Sequence, residues 1–273
     1  MPRIPDQLLN SIVYLFRNQT EALGGNGSGG TGFFISYPRQ TTRHIYVVSN
    51  VHVVQNGCVT LRINKKDGSC EAIEIPMASW IAHTDSDDVC VAPITFDIPS
   101  TWAINPLEWE NYCPTSERFQ ELNVGVGDDV FMLGRFSGHS GRTYNQPLAR
   151  FGNIAMMDGG ERVKDGRGLL VDAYLIEMRS LPGFSGSPVF VAIGAGSYRG
   201  VYGNELKARM MPFYTETIGL IGIDTGHKPV TNPVLHESGK KFEPHLYVTQ
   251  NSGIAIVAPY YKIIDILELV ERH

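Results

Sequence analysis

The segment LPGFSGSPVF, residues 181–190, places Ser185 in a turn rich in Gly and Pro, ahead of an apolar run. Gly183 and Gly186 free the backbone on both sides of the serine, so that its N–H groups can curl toward a substrate carbonyl. The same ten residues also fit an ordinary turn that leads into a β-strand. The rest of the chain therefore has to supply partners for the hydroxyl.

Short runs rich in Val, Ile, Phe and Tyr recur along the chain between Gly, Pro, Asn and Asp residues, for example HIYVVS (44–49), PVFVAI (188–193) and TIGLIGI (217–223). This pattern is typical of an all-β sandwich or barrel and not of alternating βαβ units. About a dozen such strands suit two small barrels packed together, with a site in the cleft between them.

Helices are predicted at only two places. Residues 5–10 can form a short helix that begins near Pro5 and Asp6. At the C-terminus, apolar residues recur at helical spacing, namely Ile263, Ile264, Leu267 and Val270.

The composition limits the classes of function. Apolar residues make up 42% of the 273, charged residues 19%, and the formal net charge is −5. That charge argues against nucleic acid as a partner. No run approaches the roughly 20 apolar residues that span a bilayer, and no secretory signal is evident, so we expect a cytoplasmic protein without membrane contact.

The four cysteines, at positions 58, 70, 90 and 113, show no metal-ligand spacing. Cys58 and Cys70 could face each other across a hairpin. Reduced thiols are the favoured interpretation for a chain with no export signal, and the pairing stays open.

Two patterns for a cofactor or a metal are weak. Gly25, Gly27 and Gly30 match G-x-G-x-x-G, but a strand-like run follows them where a dinucleotide site requires a helix. His236 and His245 lack the H-E-x-x-H spacing and lie in a segment bounded by prolines. Neither a cofactor nor a metal is predicted.

The pentapeptide GFSGS around Ser185 also approaches the nucleophile elbow G-x-S-x-G of α/β-hydrolases. Its fifth residue is Ser187 in place of Gly, and a strand follows where the elbow requires a helix. The partners of an elbow serine also come after it in the chain. This interpretation is therefore rejected.

A different set of partners precedes the serine. His52 follows the apolar run HIYVVSNV, and Asp88 precedes the apolar run VCVAPI. Acyl transfer by a serine needs a base for the hydroxyl proton and a carboxylate that fixes the tautomer of that base. Asp85 and Asp87 compete with Asp88 for the orienting role. Asp88 is preferred because it directly precedes the strand, with Asp87 in reserve.

The order His52, Asp88, Ser185 and its local context resemble the trypsin/chymotrypsin superfamily, most closely bacterial trypsin-like peptidases of the stress-protease type. The likeness covers about residues 11–272 in order. The segments that carry it are Gly30-Thr-Gly-Phe33, Ser49-Asn-Val-His52, Asp88-Val-Cys-Val, Gly183-Phe-Ser-Gly-Ser-Pro188, LIGIDTGH (220–227) and NSGIAIVAP (251–259).

The resemblance implies two six-stranded Greek-key β-barrels packed together in one peptidase domain, residues 1–273. The N-terminal barrel would span about 11–115, the C-terminal barrel 116–258, and a C-terminal helix 259–272. No PDZ-like segment follows.

The resemblance also implies roles for the site residues and a polypeptide substrate. Ser185 would be the nucleophile, His52 the general base and Asp88 the orienting carboxylate, with an oxyanion hole formed by the N–H groups of Gly183 and Ser185. The residues expected to bind substrate are Ser180, Leu181, Ile221, Gly222, Ile223 and His227. The base of the specificity pocket is left open among Glu177, Arg179 and Ser180.

Two departures from the family pattern qualify this expectation. Phe184 stands where digestive members have an Asp that orders the oxyanion loop, and Asn50-Val51 replaces the usual small pair before the histidine. We therefore expect conditional activity, for instance through a regulatory protein partner. The alternative is a protease-fold binding or scaffold protein with little or no cleavage activity.

Overall fold

The computed structural model describes residues 3–83, 87–114, 116–141, 143–194, 198–199, 209–210, 217–236, 238 and 245–271. Eighteen strands are assigned in these ranges: β1 Ile12–Phe16, β2 Gly29–Arg39, β3 Thr42–Ser49, β4 Thr60–Asn64, β5 Cys70–Glu74, β6 Ile81–Ala82, β7 Cys90–Pro93, β8 Leu107–Glu108, β9 Asp129–Gly134, β10 Leu148–Met156, β11 Val163–Lys164, β12 Leu170–Val171, β13 Tyr174–Glu177, β14 Pro188–Ile193, β15 Tyr198–Arg199, β16 Arg209–Met210, β17 Thr217–Pro233 and β18 Tyr247–Pro259.

The α-helices are short apart from the last one. They are α1 Asp6–Leu9, α2 Gln19–Gly24, α3 Val51–Gln55, α4 Trp109–Tyr112, α5 Ser116–Glu121 and α6 Tyr261–Glu271, and a 3₁₀ turn spans Met77–Ser79. Among the residues that the structure describes, no helix has the length and apolar character needed to cross a bilayer.

The N-terminal half is an eight-stranded sheet with the order β5-β4-β1-β2-β3-β7-β6, in which β8 pairs with β2. All five residues of the central strand β1 are buried, and alternate side chains enter different clusters. Tyr14 and Phe16 join one hydrophobic cluster, whereas Val13 and Leu15 join another. Because successive side chains of a strand point to opposite faces, the sheet is covered on both faces here.

The C-terminal half is a closed barrel of six strands, β10-β13-β18-β17-β14-β9. Along β9, alternate side chains point into the barrel and away from it. Val130 and Met132 join a cluster with Val189 and Val257, and the intervening Phe131 joins a different cluster on the opposite face. This alternation is the one that separates interior from exterior residues in a small barrel.

One hydrophobic cluster joins the sheet, the barrel and α6. Tyr14 and Phe33 of the sheet, Phe131 and Phe190 of the barrel, and Ile263 of α6 all belong to it. The two phenylalanine rings of the barrel stack with centroids 5.2 Å apart. Burial of each such side chain contributes about 1.5–3 kcal/mol, so the shared core holds the two halves and the helix in one arrangement.

These findings confirm a mostly β fold with a closed six-stranded barrel and a C-terminal helix. The expected second barrel is not confirmed, because the strand order of the N-terminal sheet runs from β5 to β6 without closing. Four further α-helices, α2 to α5, were not predicted. They have four to six residues each, too few for helical periodicity to show.

Candidate functional site

His52 lies just beyond the end of β3. Asn50 has an extended backbone, with φ −89° and ψ 147°, and α3 begins at Val51. The His52 backbone N–H donates to Asp88 Oδ1 at 2.9 Å, and His52 Nδ1 is in hydrogen-bonding contact with Asp88 Oδ2. Asn50 Nδ2 donates to the Asp88 carbonyl at 2.6 Å. One carboxylate therefore fixes both the backbone and the imidazole of the histidine.

Asp87 and Asp88, the two candidates for the orienting carboxylate, have different partners in the structure. Asp88 is buried and faces His52. Asp87 faces the opposite way, with its Oδ2 2.8 Å from Lys262 Nζ on α6 and 3.2 Å from His83 Nδ1. Burial alone would lower the pKa of Lys262, but hydrogen bonds to Asp87 and Asp172 outweigh it and raise that pKa. Asp85 lies outside the described residues.

Residues 182–187 form the loop that carries Ser185, called the nucleophile loop here after the role that the sequence interpretation expects of that serine, and neighbouring groups hold its carbonyl groups. The Pro182 carbonyl accepts from Ser137 N at 3.1 Å, and the Phe184 carbonyl accepts from Ser187 N at 2.8 Å. In a trans peptide the N–H points away from the carbonyl that precedes it. The N–H groups of Gly183 and Ser185 consequently point away from these contacts, and neither donates to an acceptor in the described part of the chain.

Thr31 of β2 holds the same loop from the N-terminal sheet. Its hydroxyl donates to the Gly183 carbonyl at 2.7 Å and accepts from Arg135 N at 2.8 Å. Its backbone N–H donates to the Ser185 carbonyl at 2.8 Å. Ser49 Oγ in turn donates to the Thr31 carbonyl at 2.8 Å. Thr31 was not singled out from the sequence, where only its place in the Gly30–Phe33 segment pointed to it.

Two glycines of this loop are required by its conformation. Gly183 has φ +98°, and a Cβ there would lie 2.7 Å from the Arg135 carbonyl oxygen. Gly186 has φ +89°, and a Cβ there would lie 2.0 Å from the Thr31 carbonyl oxygen. Both the positive φ and the close approach exclude a side chain. Both positions therefore require glycine, while their expected role toward a substrate carbonyl stays a prediction.

His52 and Ser185 line one cavity of about 200 Å³, together with Arg17, Ser28, Gly29, Val53, Asn56 and Cys58. The His52 side chain is 31% exposed, so its ring is accessible from this cavity. No hydrogen bond of Ser185 Oγ is recorded among the described residues, including one to His52. Catalytic hydrogen bonds are often long without substrate and tighten when it binds.

The sequence interpretation is wrong about three of the residues expected to bind substrate, namely Ile221, Gly222 and Ile223. All three are buried. Gly222 and Ile223 pair with β14 on one edge and with β18 on the other. Both edges of this part of β17 are therefore occupied inside the barrel, and no substrate backbone can add there.

The accessible part of β17 begins at Thr225, two residues after Ile223. Thr225, Gly226 and His227 line a second cavity of about 220 Å³, which also contains His52 and Asp88. The ladder with β14 ends at Ile223, whereas pairing with β18 continues on the other edge. His227 therefore lines the same cavity as His52. Its expected role in binding substrate stays a prediction.

Of the three candidates for the base of the specificity pocket, Glu177 and Arg179 are exposed and Ser180 is buried. Ser180 Oγ donates to Asp224 Oδ2 at 2.7 Å, and the Ser180 carbonyl accepts from Asn251 Nδ2 at 2.7 Å. Leu181, the remaining candidate, packs partly buried against the barrel core.

Asp224 is a buried acid that sequence reasoning missed. Its backbone carbonyl accepts from Gly186 N and its N–H donates to the Ser187 carbonyl, both at 2.9 Å, so it brackets the nucleophile loop. Burial raises the pKa of its carboxyl from 3.8 to about 7, against the lowering effect of the Ser180 hydroxyl. The only sign of its burial in the sequence is its position inside the apolar run LIGIDTG.

No protein-family model matches this sequence, and no curated protein matches it. The site is therefore interpreted from its own geometry. Across the described residues, no three or more His, Cys, Asp or Glu side chains are grouped so that they could hold a metal ion. The four cysteines, including Cys58 and Cys70, are free thiols.

Proposed function

We propose that this protein is a serine endopeptidase that cleaves peptide bonds through an acyl-enzyme. The observation that carries the proposal is the nucleophile loop, in which the Gly183 and Ser185 N–H groups have no acceptor among the described residues while neighbouring groups hold the carbonyls around them. A pair of backbone N–H groups next to a serine is the donor arrangement that stabilises a developing oxyanion. His52 lines the same cavity as that serine, and Asp88 binds the Nδ1 side of its ring.

The proposed mechanism gives each of these groups a role. Ser185 Oγ attacks the peptide carbonyl carbon, and His52 takes the hydroxyl proton through the nitrogen that Asp88 does not bind. The carbonyl oxygen becomes an oxyanion that accepts from Gly183 N–H and Ser185 N–H. His52 then gives the proton to the leaving amine, and a water molecule, activated by the same histidine, releases the acyl group. Asp88 stabilises the imidazolium at both stages.

The alternative is a protease-fold binding protein that does not cut, and the unbonded Ser185 Oγ is the observation in its favour. Against it, Ser137 and Thr31 already hold carbonyl groups of the loop. Phe184, which stands where an activating Asp is often found, is fully buried in the barrel core and fixes the loop by packing. Conditional activation by a partner stays a prediction.

Fluorophosphonate labelling followed by intact-mass measurement tests the proposal. The wild-type chain is expected to gain one label, Ser185→Ala none, and the matched control Ser187→Ala one, because the Ser187 hydroxyl is buried. If the folded wild-type chain neither labels nor cleaves any member of a peptide library, the enzyme proposal is wrong. Full labelling of the isolated chain would contradict conditional activation while supporting the enzyme.

A further inference from the structure

The hairpin β11–β12 reaches from the barrel to the histidine and its carboxylate. Its turn, residues 165–169, is the segment DGRGL of the sequence. Asp165 Oδ1 accepts from the N–H groups of Arg167 and Leu169, each at 2.8 Å. Gly168, with φ +86°, completes the turn. The turn is thus built around one carboxylate.

Arg167 projects from this turn over Asp88. Its Nε donates to Asp165 Oδ2 at 2.8 Å, and its Nη1 lies 3.8 Å from Asp88 Oδ1. Asp165, Gly166 and Arg167 form one wall of the cavity of about 220 Å³ that also contains His52 and His227. This cavity, the Arg167 cavity, includes the proposed catalytic residues His52 and Asp88, whereas its wall on the hairpin has no part in the mechanism described above.

Among the described residues that line the Arg167 cavity, Arg167 carries the positive charge, and its guanidinium can donate hydrogen bonds to a ligand. The Arg167 side chain is 39% exposed, whereas the side chains of Asp165 and Asp88 are only 8% and 3% exposed. Both carboxylates are already engaged, Asp165 by the turn and Asp88 by His52. Nε donates to Asp165, and Nη1 lies 3.8 Å from Asp88 Oδ1, which is too far for a hydrogen bond. Both terminal nitrogens of the guanidinium can therefore still donate to an anion, and a carboxylate matches their geometry.

An extended peptide can bring a side chain into this cavity. The edge of β17 that faces away from β18 carries no strand partner at Thr225–His227 within the described residues. A peptide whose scissile carbonyl lies at Ser185 can add along that edge through main-chain hydrogen bonds. Alternate side chains of such a strand point to the same face, so one close to the scissile bond passes His52 and Arg167.

We propose that the Arg167 cavity is a substrate subsite that selects an acidic side chain within three residues on the acyl side of the scissile bond. This inference rests on the proposed endopeptidase function. The preferred substrates are then polypeptide segments with Asp or Glu among the three residues that precede the scissile bond.

Cleavage profiling on peptide pairs that differ only by Glu and Gln at one position tests the subsite. A charge-assisted hydrogen bond predicts a preference in kcat/KM of about 10- to 100-fold for the Glu peptide. In Arg167→Gln the ratio should fall to about 2-fold or less, Arg167→Lys should keep part of it, and Arg167→Glu should reverse it. Higher salt should reduce the wild-type ratio, because the guanidinium is partly exposed.

The control variant Lys164→Gln removes a positive charge from the same hairpin at an exposed residue that does not line the cavity. It should keep the wild-type Glu-to-Gln ratio. The ratio, and not the absolute rate, is the readout, because loss of the cation near Asp88 would change the rates for both peptides alike.

Two results would overturn the subsite while leaving the endopeptidase intact. One is a wild-type enzyme that labels and cleaves but shows no acidic preference at any of the three positions. The other is a preference that persists in Arg167→Gln. Absence of wild-type labelling and cleavage would instead contradict the proposed function itself.

Discussion

Replacement of Asp224 by Asn tests whether a buried carboxyl next to the nucleophile loop makes the fold sensitive to pH. Asp224 is fully buried, and Ser180 donates to its Oδ2, while its Oδ1 has no hydrogen-bond partner in the described part of the chain. Burial raises the pKa of this carboxyl from 3.8 to about 7, with the Ser180 hydroxyl and the Gly226 N–H acting in the opposite direction. The folded chain therefore favours the protonated acid.

The sign of the effect follows from linkage. Between about pH 4 and pH 7 the folded state keeps a proton that the unfolded state has released, so the free energy of unfolding falls as the pH rises. Across this window, the free energy of unfolding falls by ~1.4 kcal/mol for each pH unit. For a pKa displaced from 3.8 to about 7, the loss amounts to ~4 kcal/mol above neutral pH, a large part of the 5–15 kcal/mol typical of a domain.

Urea unfolding of wild type and Asp224→Asn from about pH 4 to about pH 8 measures this loss. The amide is neutral throughout and leaves the backbone contacts with Gly186 and Ser187 in place. The stability of the variant relative to wild type should therefore grow by ~4 kcal/mol across the range, while other titrating groups cancel in the difference. Asp97→Asn, at an exposed residue, is the matched control and should show no such trend.

A difference between Asp224→Asn and wild type that stays within about 1 kcal/mol over the whole range would refute the reasoning. So would a trend of the opposite sign, in which wild type gains stability over the variant as the pH rises. Either result would mean that the carboxyl is ionised in the folded chain and compensated by groups other than Ser180.

Three further changes have direct readouts. Thr31→Val removes the hydroxyl that donates to the Gly183 carbonyl of the nucleophile loop. Fluorophosphonate labelling should therefore slow by about 10-fold or more, and the free energy of unfolding should fall by about 1–3 kcal/mol. Thr31→Ser should restore both, and equal labelling of the two variants would contradict that role. Gly186→Ala places a Cβ 2.0 Å from a carbonyl oxygen, whereas Gly57→Ala at φ +84° meets open space. Urea unfolding should show a loss of about 3 kcal/mol or more for the first and about 1 kcal/mol for the second, and equal losses would count against the close approach. Asp88→Asn should reduce the labelling rate by about 10⁴-fold, because an amide does not fix the required imidazole tautomer; a rate within about 10-fold of wild type would remove Asp88 from the mechanism.

Much of the site could be predicted because its residues are marked by local context. His52 follows one apolar strand and Asp88 precedes another, and positions next to strand ends bring side chains to a common cleft between packed sheets. The choice between Asp87 and Asp88 needed the fold, since Lys262, which engages Asp87, is far away in the chain and belongs to α6. Local sequence carries no information about that pairing.

The substrate strand was misplaced for a related reason. The run LIGI is strongly apolar, which predicts a strand correctly, but hydrophobic pattern does not show which strand edges are paired. Only the ladders with β14 and β18 show that Ile223 is enclosed and that an edge opens at Thr225. The same limit applies to Asp165 and Arg167, because a Gly-rich turn gives no sign of what lies beneath it.

The nucleophile loop is ordered across the junction of the two halves and not within the barrel alone. Phe184 anchors it by packing in the barrel core, while Thr31 reaches from the sheet to hold the carbonyls of Gly183 and Ser185. A carboxylate that orders such a loop needs a new ammonium partner, which a cut in the chain can supply. Here a neutral hydroxyl and an aromatic ring replace that pair, and neither depends on a cut or on a charge. The geometry of the proposed oxyanion hole therefore depends on the docking of the sheet on the barrel as well as on the barrel core.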